Sequence, residues 1–128
     1  MPAPTARSAS VARFRIARRL DTKSADRYRR RVRSTLEGGR AVVIHFPAGS
    51  FVDTEGLSTL VGLADLGREI HETESVAVAS GSREVSQLIG LTRLDRYLPV
   101  FDHPDAAATW LLVRGCAHAV TLSENYNK

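Results

Sequence analysis

With 128 residues and 43% hydrophobic content, the chain suits a single domain that can bury a core without disulfide or metal staples, and it leaves no room for a second. Its one cysteine, Cys116, cannot make an internal disulfide, and its apolar runs are too short for a membrane span or a secretory leader, so a cytoplasmic protein with no membrane contact is expected. The net charge of +4 conceals two regions of opposite sign: residues 1–40 hold 12 Lys/Arg against 3 acids, and residues 41–128 hold 6 against 11.

Residues 1–10, rich in Pro, Ala and Ser, are expected to form a disordered arm. The partial alternation of Val11, Phe14, Ile16 and Leu20 predicts one strand over 11–20, after which Asp21 and Thr22 make a turn and a cap. A helix follows over about 24–36, with Ala25, Tyr28, Val32 and Leu36 as its apolar stripe and Gly38-Gly39 as its stop. Arg27, Arg29, Arg30, Arg31 and Arg33 then occupy the rest of that helix surface. Blocks of this kind can hold phosphates, nucleic acid or an acidic partner, but no aromatics are interleaved for base stacking and no reader motif is present. A solvated face is expected, with no direct nucleic-acid contact.

The β-branched run at 40–46 predicts a second strand and Pro47-Ala48-Gly49-Ser50 a turn. Phe51-Val52-Asp53-Thr54-Glu55-Gly56-Leu57 then passes into a helix extending to about Glu72. This junction is the candidate site. Thr54 falls at a helix start, where free N–H groups and the positive end of the helix dipole tolerate an anion, including a phosphate on Thr54 itself. Capping alone would also select Asp, Thr and Glu at such a position. Leu57, Leu60, Leu63 and Leu66 make the helix apolar nearly all round, which either buries it or leaves a patch facing a partner; the patch is the reading adopted, with the leucines lying under the C-terminal tail as its rival. Close helix packing alone accounts for Gly62.

A strand at 75–79, a helix over 83–89 stopped by Gly90, a further turn within 91–97, an edge strand at 98–101 and a last helix over 103–113 complete the domain, leaving residues 114–128 as a tail. Strands and helices alternate, so the expected fold is α/β: a small mixed sheet of about four strands with parallel pairs and with helices packed mainly on one face. No Gly-rich phosphate cradle is present, Cys116-x-His118 is too little for a metal centre, and the serines lack the context of an activated nucleophile. Neither an enzyme nor a cofactor is expected.

In the order and spacing of these elements the chain resembles the STAS domain, in particular the bacterial anti-sigma factor antagonists, over about residues 11–113. Arg19-Leu20-Asp21 is similar to that family's turn after its strand. Asp53-Thr54-Glu55-Gly56-Leu57 is similar to its Asp-Ser/Thr-x-Gly-Leu signature, and Ile89-Gly90-Leu91 with Tyr97-Leu98-Pro99-Val100-Phe101 to its late Gly-Leu segment and final strand. The resemblance implies a protein-binding module that captures an anti-sigma factor, itself a serine/threonine kinase, and loses its grip when Thr54 is phosphorylated. It places Asp21, Asp53, Glu55, Gly56, Leu57 and Leu63 on the contact surface. Four features depart from the family: Glu55 stands where a second small hydroxyl is common, His45 replaces an Asp or Asn, the first helix is strongly basic, and the usual first strand is short or missing. A second reading keeps the fold without the switch, as a scaffold subunit of a larger signalling assembly.

Overall fold

The computed structural model describes residues 10–124, with side chains through residue 114. Six strands and four helices alternate along them: β1 (Val11–Arg15), β2 (Arg19–Leu20), α1 (Thr22–Glu37), β3 (Ala41–Phe46), β4 (Phe51–Val52), α2 (Thr54–His71), β5 (Val76–Ser80), α3 (Arg83–Thr92), β6 (Val100–Phe101) and α4 (Pro104–Glu124), with a 3-10 turn at Leu94–Arg96. The arm expected at residues 1–10 lies, but for Ser10, outside the described residues.

The four-stranded sheet has the order β1-β3-β5-β6, and every described pair within it is parallel. Side-chain alternation sorts β3 between its faces. Val42, Ile44 and Phe46 join Leu60, Leu63, Val85 and Ile89 in the larger core, whereas Val43 joins Ala77, Ala79, Ala107, Ala108 and Leu111 in a smaller one. Helices α1, α2 and α3 therefore cover one face and α4 alone the other, a three-layer arrangement weighted to one side.

The single strand expected over 11–20 is two. β1 ends at Arg15, and Arg19–Leu20 leaves the main sheet to pair, again in parallel, with Phe51–Val52. The break is held by Ile16, fully buried, and by the Ala17 N–H donating to the Tyr28 hydroxyl at 3.2 Å. α1 starts at a capping box in which Asp21 Oδ1 accepts from the Lys23 and Ser24 N–H groups while the Asp21 N–H donates to Ser24 Oγ. Its buried stripe is the one expected, Ala25, Tyr28, Val32 and Leu36.

Two helices outrun their expected ends. α3 passes through Gly90 to Thr92 and is closed by Arg93 in the left-handed region at φ 61°; an added Cβ at Gly90 meets nothing within 4 Å, so that glycine neither stops the helix nor serves a close contact. α4 continues to Glu124 and takes in most of what was read as a tail. A polar cluster ties α2 to the turn before β6: Arg68 Nη1 donates to both Glu74 carboxylate oxygens at 3.0 Å, Arg68 Nη2 donates to Asp65 at 2.8 Å, and the Tyr97 hydroxyl donates to Asp65 at 3.0 Å.

Candidate functional site at two helix starts

The β2–β4 ladder sets Leu20 opposite Val52, and each of these strands runs through one aspartate into a helix. Asp21 and Asp53 thus occupy matching places, and α1 and α2 begin side by side. Asp53 serves both. Its Oδ1 accepts from the Gly56 N–H at 2.9 Å, which caps α2, and its Oδ2 accepts from the Thr22 N–H at 3.4 Å, which reaches the first residue of α1. The Asp53 N–H in turn donates to the Leu20 carbonyl at 3.2 Å.

Thr54 is the first residue of α2 and is exposed. The Gly56 and Leu57 N–H groups beyond it are taken by the side chain and carbonyl of Asp53. Beside Thr54 lies a shallow depression of about 370 Å³ between α2 and the end of α3, lined by Thr54, Leu57, Ser58, Val61, Thr92 and Leu94. Its floor is apolar and its rim carries hydroxyls. Leu57 and Val61 are half-buried, packed on the core from one side and open to the depression on the other.

Glu55 turns away from this depression toward α1, where Arg29 Nη2 comes to 3.5 Å of its carboxylate and donates to Thr59 Oγ1 at 3.0 Å. Partial burial pushes the Asp21 carboxyl upward, but hydrogen bonds from Ser24 and Lys23 and the nearby Arg19 charge outweigh it and hold its pKa below the ordinary value. Phe51, well exposed at the same end, carries the Arg19 guanidinium 5.6 Å above its ring.

Leu63 does not belong to the surface. At 2% exposure it sits in the main core, because it lies two turns along α2 on the side facing the sheet, so the contact role expected for it is withdrawn. Gly56 is also buried: a Cβ there would stand 2.2 Å from the Leu20 carbonyl oxygen, and only glycine lets α2 approach β2 so closely. For Gly62 the outcome is the reverse of close packing, since its added Cβ meets nothing within 4 Å. The part of α4 with described side chains packs on the opposite face of the sheet from leucines 57–66, and the rival placement of those leucines under residues 114–128 lies outside the described side chains. Sequence reasoning missed Arg29 as the partner of Glu55 and Ser58, Val61, Thr92 and Leu94 as the surroundings of Thr54. The helical spacing of 54, 57, 58 and 61 was the available signal for two of these.

Among the described residues no group of His, Cys, Asp and Glu is arranged to hold a metal ion, and Cys116 and His118 lie beyond the described side chains. No described helix is long and apolar enough to cross a membrane. The parallel α/β layer thus displays the Thr54 hydroxyl at a helix mouth beside an apolar depression. The family comparison agrees with this fold: the model described as the STAS domain matches residues 3–107, and the chain belongs to that family, which is characteristic of anti-sigma factor antagonists and related proteins. Proteins of this family are in general non-enzymatic modules that bind other proteins. No curated protein matches the chain at a significant level.

Proposed function

We propose that the chain is a regulatory binding module whose α2 start captures an anti-sigma factor that is also a serine/threonine kinase, and that phosphate on Thr54 ends the capture. The observation that carries this reading is the exposed Thr54 at the first position of α2, on the rim of the depression formed with Leu57, Ser58 and Val61. Asp53, Glu55 and Asp21 complete the docking end of the molecule. A phosphoryl group brings a charge of about −1.5 to −2 into the contact, where it must be desolvated or repelled. Asp53 and Glu55 add to that repulsion, Glu55 less than its sequence position suggests because Arg29 offsets its charge.

Glu55 also favours a second reading, the same module without a switch acting as a scaffold subunit in a signalling assembly. A fixed carboxylate directly after the acceptor partly imitates the modified state and hinders a kinase that must hold a phosphate there. Incubation with ATP and an anti-sigma factor kinase that binds the chain, followed by mass spectrometry, separates the two. Phosphate on Thr54 is expected; binding of the kinase with Thr54 unmodified leaves the scaffold.

A further inference from the structure

The second unusual surface lies along β1, away from the helix starts. β1 is the outermost strand of the sheet, and no other described strand lies beside it. The Ile16 N–H donates to the His45 carbonyl at 2.8 Å, so Ile16, and with it Phe14 and Ala12, directs its backbone groups toward β3. Alternation then turns the N–H and C=O groups of Val11, Arg13 and Arg15 to the open side. This edge runs along a cleft of about 380 Å³ whose lining includes Arg13, Arg15, Arg31 and Arg40 and no carboxylate.

The arginines lie on both sides of the strand. Arg13 and Arg15 project from the α4 face, whereas Arg31 reaches over from α1 with its guanidinium 5.5 Å above the Phe14 ring. Arg13 is partly neutralised by Asp105 at 2.7 Å. No described carboxylate comes within 4 Å of Arg15, Arg31 or Arg40, and Arg40 donates instead to Ser10 Oγ at 2.8 Å. An unpaired strand edge ordinarily invites another strand, and a flanking row of cations determines which kind.

We propose that the β1 edge with Arg15, Arg31 and Arg40 is a second docking surface, which takes an extended acidic segment of a partner protein as an added strand. Backbone hydrogen bonds to Val11, Arg13 and Arg15 supply the pairing. Because side chains of an added strand alternate between its faces, carboxylates at successive positions meet Arg15 on one side and Arg31 on the other. In sequence, residues 1–9 hold no carboxylate and contain Arg7 as their only charged residue, and Pro2 and Pro4 have no N–H to donate. The surface is independent of the Thr54 reading.

The test uses the full chain and a fluorescent decapeptide in which pairs of Glu alternate with pairs of Thr, so that each face of the added strand carries carboxylates, read by anisotropy. Binding is expected to weaken about tenfold or more from low to high salt, by a similar factor in the Arg31→Glu/Arg40→Glu variant checked for an unchanged circular dichroism spectrum, and to vanish when alternate peptide nitrogens are methylated. In amide exchange the Val11, Arg13 and Arg15 N–H groups should exchange fast in the free chain and slow on adding the peptide. Equal binding of the methylated peptide or of a Thr–Gln version overturns the proposal. So does protection of those three amides in the free chain, which assigns the edge to the chain's own residues, or binding of an oligouridylate where the acidic peptide fails.

Discussion

The Asp53 carboxylate accepts the Thr22 N–H at 3.4 Å, so the residue that caps α2 also holds the first residue of α1. Asp53→Ala removes a cap and this link together. A loss of about 1–2 kcal/mol is expected in urea unfolding, the upper part of the range for a single N-cap. Asp53→Asn, which retains one acceptor oxygen, should recover about half of it.

Gly56 and Gly62 share a helix and a residue type but not an environment. Gly56→Ala drives a methyl group into the Leu20 carbonyl and should cost about 2 kcal/mol or more. Gly62→Ala meets open space and should gain about 0.5–1 kcal/mol from helix propensity. Denaturation midpoints moving in opposite directions for the two variants are the expected result.

If the helix mouth docks a kinase, charge at Thr54 must matter more than the loss of its hydroxyl. Thr54→Asp is expected to weaken capture about tenfold or more and Thr54→Ala much less, measured by calorimetry. Glu55→Gln should raise the initial rate of Thr54 phosphorylation with the fold intact.

Arg68 joins Asp65, Glu74 and the Tyr97 carbonyl, while Arg33 has the single exposed partner Glu37 at 3.1 Å. Arg68→Ala should therefore lower the urea midpoint clearly more than Arg33→Ala. Hydrogen bonds from Arg68 and Tyr97 hold the Asp65 carboxyl below its ordinary pKa. A depressed carboxyl stabilises the fold above its unfolded value and ceases to do so as pH falls, so this contribution disappears below about pH 4. Asp65→Asn should flatten the acid limb of the stability profile.

His45 is lowered first by burial and then by the charges of Arg15 and Arg13. Its unfolded form takes up a proton first, near pH 6.5, so stability should decline as pH falls from about 7 toward 5. His45→Gln is expected to reduce that slope in urea midpoints taken across the interval.

The elements that declared themselves in the sequence are those with enough length for a period. The stripe Ala25, Tyr28, Val32, Leu36 and the run into Phe46 could be read directly, and with Asp53-Thr54-x-Gly-Leu they led to the family. The β2–β4 ladder could not be read: two residues have no periodicity, and its partners Leu20 and Val52 are 32 positions apart. Leu63 was misplaced because a helix apolar all round does not reveal which leucines face the sheet. Gly90 misled because a glycine ends a helix only where the chain needs a left-handed turn, and here Arg93 supplies it.

Strands β1, β3, β5 and β6 lie side by side in the order in which the chain presents them. Each can join the free side of its predecessor, and none has to be threaded between two already paired. A chain leaving the ribosome could lay down this sheet from one margin outward. Val43, Ala77 and Ala79 would then stay uncovered until Ala107, Ala108 and Leu111 emerge, which makes the nascent protein dependent on its last helix to hide the back of the sheet.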